Sequence, residues 1–207
     1  MRQIALPLAP AKDVVPRIVV GNANAVVVDA LMEPERWPFH SAVVHGPARS
    51  GKSLLGRWFV ETGKGDVVDD ADVMDEDDLF HRWNRAQENR RPLLILSSRR
   101  RGKMPGEWQV CLPDLASRLG AALDLEIGAP DDDMLADLLG LHAEMRGIVL
   151  DETATQYLVG RCQRSHVGVE KLVAAIDRLS LERKQAPTMA IWREALNETM
   201  SRDTGRE

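Results

Sequence analysis

Residues 46–53 have the types and spacing of a site that binds phosphate groups. The run Gly46-Pro47-Ala48-Arg49-Ser50-Gly51-Lys52-Ser53 matches the pattern G-x-x-x-x-G-K-[ST] in full. In this pattern the glycines let backbone N–H groups curl around phosphates at a helix N-terminus, where the helix dipole favours an anion. Lys52 reaches the β- and γ-phosphate oxygens, and the Ser53 hydroxyl is a ligand of Mg²⁺. The run therefore predicts a nucleotide site.

Two acidic residues, Asp69 and Asp70, follow the apolar pair Val67-Val68. A carboxylate at a strand end near a phosphate loop suits a group that orients Mg²⁺, with a neighbour that polarises water. We therefore predict a Mg²⁺ site formed by Ser53 and Asp69, with Asp69 and Asp70 as catalytic candidates. The later run Asp75-Glu76-Asp77-Asp78 is interpreted as a solvated helix start.

The elements that position these residues follow from the hydrophobic pattern. Short apolar runs predict buried strands at 41–45, 66–69, 93–96 and 122–127, and amphipathic segments predict helices at 22–32, 52–61, 76–89 and 113–119. Beyond residue 130 only helical periodicity remains, at 131–146, 151–161, 167–184 and 188–200. Three prolines in the first sixteen residues indicate an extended tail. An α/β part followed by an all-helical part is the predicted organisation.

Composition excludes several classes of protein. The 207 residues include 27 Lys plus Arg against 32 Asp plus Glu, and the net charge of −5 disfavours a general nucleic-acid binder. Two cysteines are too few for a disulfide scaffold, and no apolar run approaches the roughly 20 residues of a membrane helix. With no signal peptide in the N-terminal sequence, we expect a cytoplasmic protein without a membrane partner. The basic run Arg99-Arg100-Arg101 with Lys103 lacks interleaved aromatics, which favours a solvated loop or a surface for an acidic partner.

Two further segments extend the motif analysis to a family. A P-loop α/β unit with a helical lid resembles the AAA+ ATPases, and Leu112-Pro113-Asp114-Leu115-Ala116-Ser117-Arg118-Leu119 resembles the "LPDL-x-SRL" arginine-finger box of the replication initiator DnaA and its regulatory relatives. Residues 18–24 resemble the "VG-x-x-N" segment of the same family. The resemblance implies that Arg118 stabilises charge on the γ-phosphate of a neighbouring subunit. It also implies that Val19, Val20 and Asn24 lie beside the adenine.

The N-terminal segment Gln3-Ile4-Ala5-Leu6-Pro7-Leu8 is similar to the Q-x-x-L-P-L sliding-clamp motif of Hda-type proteins. The similarity implies that Gln3 supplies an amide anchor, that Leu6 and Leu8 fill apolar pockets, and that Pro7 stiffens the strand. The chain ends after the helical lid, so we expect no helix-turn-helix DNA-binding domain and no direct sequence-specific nucleic-acid binding. The sequence is accordingly identified as a member of the Hda-type regulators related to DnaA, in their short alphaproteobacterial form.

This resemblance refines the expected architecture. We expect a parallel AAA+ sheet of about four strands with helices, followed by a small helical lid. Only residues 62–68 separate the P-loop helix from Asp69, so the family's second strand, an edge strand, is expected to be deleted. The predicted domains are an extended tail with the clamp motif at 1–12, the α/β domain at 13–129 and the lid domain at 130–207.

Two positions depart from the family pattern. The usual Asp-Arg pair after the third strand is Ser98-Arg99, and the sensor arginine of the third lid helix falls at Glu170, beside Lys171. A carboxylate there repels a γ-phosphate. The departures put hydrolysis by the chain itself in doubt, leaving open whether it is an enzyme, while a bound ADP or ATP with Mg²⁺ is still expected.

The resemblance implies a negative regulator of replication initiation. Tethered to the sliding clamp, the β subunit of DNA polymerase III, the protein would stimulate hydrolysis of ATP bound to DnaA in trans through Arg118. A homodimer is left open. Two alternatives remain: a small P-loop ATPase that turns over unaided, and a clamp-binding adaptor whose nucleotide site is vestigial.

Overall fold

A computed structural model describes the backbone of residues 2–5 and 17–203, and the side chains of residues 17–201. The described chain divides into two compact units, an α/β unit that ends at Gly128 and a helical unit that begins at Ala129. Residues 21–23 cluster with the helical unit, where Gly21 faces the side chain of Met134. No helix in the described part of the chain is long and apolar enough to cross a membrane.

Four parallel strands form the sheet of the α/β unit. They are β3 (Ser41–His45), β4 (Asp66–Val68), β5 (Leu93–Ser97) and β6 (Leu123–Glu126), arranged in the order β4-β5-β3-β6. Ser41 pairs with Leu93, Ala42 with Leu123, and Asp66 with Leu93. Because all four strands run in the same direction, the loops that follow them meet at one edge of the sheet, where ligands bind in open α/β folds.

The expected sheet is confirmed, including its small number of strands. In the two central strands, β3 and β5, every residue is buried, as is typical of a parallel sheet covered on both faces. Alternate side chains enter two separate cores. On one face Ala42 and Leu96 pack with the helices at 25–32 and 52–61. On the other face Val43 and Ile95 pack with the helices at 76–88 and 113–121.

Four helices cover the sheet: α1 (Ala25–Met32), α2 (Lys52–Glu61), α3 (Glu76–Glu88) and α4 (Pro113–Ala121). Their bounds lie within three residues of those predicted. The Asp75 carboxylate caps α3 by accepting hydrogen bonds from the N–H groups of Asp77 and Asp78. Pro113 occupies the first position of α4, where its missing N–H has no helical partner to lose.

A separate two-stranded sheet pairs β1 (Arg2–Ala5) with β2 (Arg17–Val20). The sequence predicted extended chain at β1 but no strand at 17–20. A four-residue run that ends at Gly21 is too short to show a clear period. Residues 6–16, which include Leu6, Pro7 and Leu8, lie outside the described residues.

The helical unit contains α5 (Asp132–Glu144), α6 (Glu152–Val159), α7 (His166–Arg183) and α8 (Met189–Asp203). Side chains of Asp131, Asp151 and Ser165 cap the first three helices. Each accepts the N–H of the residue three positions later, so the acidic starts read from the sequence act as helix caps. The four predicted helices are confirmed, with bounds shifted by no more than three residues.

Candidate nucleotide site and arginine-bearing helix

The phosphate loop lies between β3 and α2, in the setting that its motif requires. Its two glycines are required for different reasons, steric contact at Gly46 and backbone conformation at Gly51. A Cβ atom on Gly46 would lie 2.9 Å from Ile127 Cβ and 3.0 Å from the Ile127 carbonyl oxygen, so no side chain fits without movement. Gly51 has a φ of 89°, in the left-handed region that glycine adopts at no steric cost. Arg49 also has a positive φ, 63°, at the exposed turn of the loop.

Lys52 is the first residue of α2, and its side chain folds back over the loop. Its Nζ donates hydrogen bonds to the carbonyl oxygens of Gly46 and Pro47, each at 2.8 Å. The pKa of Lys52 is lowered by burial, which outweighs the opposite effect of three nearby carboxylates, those of Asp69, Asp70 and Asp72. The ammonium group thus lies at the loop and is within reach of the charges of these acidic groups.

The donor set of the loop fits a nucleotide phosphate. The Ser50 hydroxyl is buried and, among the described residues, has no hydrogen-bond partner. Such a group is satisfied when an acceptor binds in the loop. Ser53 lies exposed in the first turn of α2, where its hydroxyl is available to a cation.

Asp69 and Asp70 follow β4 and are both exposed. The Asp69 carboxylate accepts the N–H of Asp70 at 3.0 Å, and Asp70 has a left-handed φ of 52°. Within the described residues no group of three or more His, Cys, Asp or Glu could hold a metal ion by itself. The predicted pair of Ser53 and Asp69 agrees with the chemistry of Mg²⁺, which takes one or two protein ligands plus phosphate oxygens and water.

Asp72 is an acidic residue of the site that the sequence reasoning missed. Its side chain is only 3% exposed, and it accepts hydrogen bonds from the Ser98 N–H at 3.1 Å and from Arg99 Nε at 2.8 Å. Burial by itself raises the pKa of Asp72, but the hydrogen bonds from Arg99 and Ser98 outweigh it and hold the pKa below its usual value. The third acid in the Asp69-Asp70-Ala71-Asp72 run was the available signal, although its partners lie in a distant loop.

The contact changes the interpretation of Ser98 and Arg99. Ser98 lacks an acidic side chain, but its N–H donates a hydrogen bond to the carboxylate of Asp72, which lies shortly after the neighbouring strand β4. The guanidinium of Arg99 is engaged by the side chain and the carbonyl oxygen of Asp72. The basic run that begins at Arg99 includes a backbone bridge between Arg101 and the buried Trp108.

The residues predicted beside the adenine occupy the end of β2 and the start of α1. Val19 and Asn24 are buried, and Val20 is half-buried. Asn24 Nδ2 donates to the Val19 carbonyl oxygen at 2.9 Å. The amide thereby links the strand to the helix that follows it.

Arg118 lies on α4, and its side chain crosses to α3. The guanidinium carbon lies 4.2 Å from the ring centroid of Phe80 and 4.5 Å from that of Trp83, and Nη1 donates to Asn84 Oδ1. In the described part of the chain no carboxylate forms an ion pair with Arg118, and none of its contacts is with the phosphate loop. The sequence predicted only an amphipathic helix at 76–89 and singled out none of these three residues as partners of Arg118. Their spacing at i, i+3 and i+4 was the signal.

The remaining predicted residues lie elsewhere. Gln3 is in β1, where only the backbone is described, and Leu6, Pro7 and Leu8 fall outside the described residues. Glu170 and Lys171 lie in α7 of the helical unit. The roles assigned to these residues stay predictions.

Comparison with known proteins finds a family for the helical unit and a shared fold for most of the chain. The family described as "Hda, lid domain" matches residues 131–196. Domain III of the Thermotoga maritima replication initiation protein DnaA superposes with a TM-score of 0.68 over 87% of this chain and 94% of that chain, at 13% identity. The helical unit thus matches the lid of the Hda family, and the chain has the fold of the DnaA domain. A DnaA structure bound to AMPPCP and single-stranded DNA gives a TM-score of 0.60 at 15% identity, over 80% of this chain and 66% of that one.

One curated relative is similar to part of this chain. An uncharacterized protein of Haemophilus influenzae is 27% identical over 119 residues. The match covers 58% of this chain and half the length of that protein.

Proposed function

We propose that this protein is a negative regulator of replication initiation that acts on DnaA in trans. In this proposal it is tethered to the sliding clamp, meets ATP-bound DnaA across an AAA+ interface, and stimulates hydrolysis of the ATP held by DnaA. The initiator is left in its inactive ADP-bound form. The Hda-type lid and the DnaA-like fold support the assignment to this class of regulators. Both proposed partners are cytoplasmic, and we assign the protein to the same compartment.

The observation that carries the proposal is the environment of Arg118. Its guanidinium is held by two aromatic rings and one amide oxygen, and so its positive charge is not neutralised by any described side chain. Cation–π contacts at accessible sites contribute only about 0.5–1 kcal/mol each. Transfer of the guanidinium to an anion from another molecule therefore costs little.

Phosphoryl transfer supplies the anion that this arginine fits. Negative charge spreads over the oxygens of the γ-phosphoryl group in the transition state, and an arginine donated by a neighbouring subunit is worth about 10³–10⁵ in rate. Arg118 is the group that we assign to this role. Its planar fork donates several N–H groups, which a lysine cannot reproduce.

The phosphate loop of the chain itself is assigned to bound ADP or ATP with Mg²⁺. Lys52 would bind phosphate oxygens in exchange for the carbonyls of Gly46 and Pro47, and Ser53 with Asp69 would hold Mg²⁺. The cation, when bound, neutralises phosphate charge. Engagement of Arg99 by Asp72, together with Glu170 in place of an arginine, supports weak or absent hydrolysis by this site.

The N-terminal motif is assigned to the clamp. Gln3, Leu6, Pro7 and Leu8 have the residue types of a short peptide that binds in an extended conformation. A tether converts encounter with DnaA on clamp-loaded DNA into a local event at an effective concentration of the order of millimolar for a short linker. A weak interface between the two AAA+ proteins is then sufficient.

The test is γ-phosphate release from ATP-loaded DnaA in the presence of DNA-loaded clamp, with and without this protein. We expect acceleration that requires both the clamp and Arg118. The Arg118→Ala variant should lose stimulation while still binding the clamp, and Arg82→Ala, which removes an exposed arginine of α3, serves as the matched control. Loss of both activities in Arg118→Ala, or of neither, would contradict the assignment.

Two other functions make different predictions. The intact phosphate loop and Asp69 favour an ATPase that turns over unaided, and this function requires steady hydrolysis without a partner that Lys52→Ala abolishes. The Ser98 and Glu170 departures favour a clamp-binding adaptor with a vestigial site. That adaptor would show no change in melting temperature with either nucleotide.

A further inference from the structure

The side chain of Glu76 in α3 binds the two residues that precede α4, the helix that carries Arg118. The Glu76 carboxylate accepts the N–H of Cys111, at 2.8 Å to Oε1 and 3.1 Å to Oε2. It also accepts the N–H of Leu112, at 2.6 Å to Oε2. Glu76 and these two residues are 35 and 36 positions apart in the chain, so the contact exists only in the folded protein.

The start of α4 has no cap of its own. Leu112 occupies the N-cap position and makes no side-chain capping bond, and Pro113 at the next position has no N–H to fix the segment. A carboxylate at this place forms charge-assisted bonds with the backbone and interacts favourably with the positive end of the helix dipole. Glu76 therefore supplies from α3 the anchor that α4 lacks.

The same two helices touch again at Arg118. One end of α4 is held by Glu76, and the guanidinium on its later turn rests on Phe80 and Asn84 of α3. Between these contacts Leu79 of α3 and Leu115 of α4 share one core. The position of α4 along α3 thus decides where the guanidinium is presented.

We propose that Glu76 is a positioning residue for Arg118, a proposal that rests on the function proposed above. Glu76 acts through the backbone of Cys111 and Leu112 and fixes the start of α4, so that Arg118 meets the γ-phosphate of the partner in one orientation. The acidic neighbours are different. In the structure as described, the carboxylates of Asp77 and Asp78 accept no hydrogen bond, and both residues are exposed.

The test compares three variants of the full-length protein. Glu76→Ala removes the anchor, Glu76→Gln keeps one acceptor oxygen, and Asp78→Asn removes a charge from the same helical turn without touching α4. Two quantities are measured: the maximal rate and half-saturating concentration of stimulated hydrolysis, and the amide hydrogen exchange of Cys111 and Leu112. Melting temperatures establish that each variant is folded.

For Glu76→Ala we expect a maximal rate about tenfold lower, because a small misplacement of a catalytic group is costly, with an unchanged half-saturating concentration. Exchange at Cys111 and Leu112 should become about tenfold faster or more as the segment loosens. Glu76→Gln should recover the rate to within about threefold of the unmodified protein, since a neutral bond is about half as strong as a charge-assisted one. Asp78→Asn should match the unmodified protein in both measurements.

Two results would overturn the positioning role: faster exchange with an unchanged maximal rate, or a lower rate with unchanged exchange. A rate that falls equally in Asp78→Asn would assign the effect to charge alone. Should Glu76→Ala not fold, Glu76→Gln against Asp78→Asn decides by the same two measurements. Failure of the proposed function itself is recognised separately, because the unmodified protein would then give no stimulation, or Arg118→Ala would retain it. The exchange at Cys111 and Leu112 does not depend on DnaA.

Discussion

The α/β unit holds two prominent cations, Lys52 and Arg118, and their surroundings differ in charge. Lys52 has two carbonyl partners, and the carboxylates of Asp69, Asp70 and Asp72 act on it from nearby. Arg118 has two aromatic rings and an amide oxygen, all uncharged. In the function proposed above, Lys52 serves a nucleotide bound by this chain. Arg118, which has no counter-charge among the described residues, serves an anion held by another protein.

The difference separates what each region contributes. The phosphate loop has a cation, a hydroxyl and an acid close together, as a nucleotide with Mg²⁺ requires. In the described part of the chain the Arg118 guanidinium contacts Phe80, Trp83 and Asn84 and forms an ion pair with no carboxylate. Substitutions in the two regions should therefore have separable effects.

Replacement of Arg118 should have the largest effect. We expect Arg118→Ala to lower stimulated hydrolysis by about 10³-fold, the contribution typical of a donated arginine, and to leave ADP affinity within about twofold. Single-turnover phosphate release and ADP titration measure the two quantities. Arg118→Lys should recover little of the rate, because an ammonium group lacks the planar fork of donors. A large loss of ADP affinity in Arg118→Ala would mean that the two regions are not separate.

Replacement of Lys52 should have the reverse pattern. Without Lys52 the phosphate loop loses the ammonium group that folds back over it, so ADP with Mg²⁺ should no longer raise the melting temperature. For the unmodified protein the stabilisation is about 2.7 kcal/mol at an ADP concentration one hundred times Kd. Arg57→Ala, an exposed substitution on the same helix, should keep the full shift. Equal shifts in Lys52→Ala and the unmodified protein would show that the loop does not bind ADP through this lysine.

Sequence reasoning reached the two regions to different depths. The phosphate loop could be predicted because its residues are contiguous and its flanking elements, a buried apolar run and an amphipathic helix, have clear periods. Arg118 was found through a contiguous box as well. Arg118 lies 34 positions from its partner Asn84, and the hydrogen bonds that Ser98 donates to Asp72 and that Cys111 donates to Glu76 join residues 26 and 35 positions apart. Such pairs are decided by how helices and loops pack, which no local pattern contains.

The ion pair between the buried Asp72 and the exposed Arg99 should contribute a smaller, pH-dependent effect. Because the pKa of Asp72 is lowered in the folded protein, its contribution to the free energy of unfolding is present above the unfolded value of about 3.9 and is lost as the pH falls through the folded value. Asp72→Asn should lower the free energy of unfolding by about 1–3 kcal/mol at pH 7, since a charged hydrogen bond is lost at a buried site.

Urea unfolding at pH 7 and at pH 3 measures this effect. The difference between Asp72→Asn and the unmodified protein should shrink at the lower pH, where the carboxyl group becomes protonated. Glu61→Gln removes an exposed carboxylate and should behave as the unmodified protein at pH 7. A difference that is the same at both pH values would mean that the ionised carboxylate of Asp72 does not stabilise the fold.

The smallest effect compares one substitution in both regions. Gly51 and Gly120 have open space where a Cβ would be placed, but Gly51 has a φ of 89° whereas Gly120 is helical. Alanine at a left-handed position costs about 1–2 kcal/mol, while alanine in a helix gains roughly 0.5–1 kcal/mol over glycine. Gly51→Ala should therefore lower the free energy of unfolding in urea, and Gly120→Ala should raise it. Because steric contact is absent at both sites, the opposite signs would isolate backbone conformation as the reason that the phosphate loop needs glycine where the Arg118 helix does not.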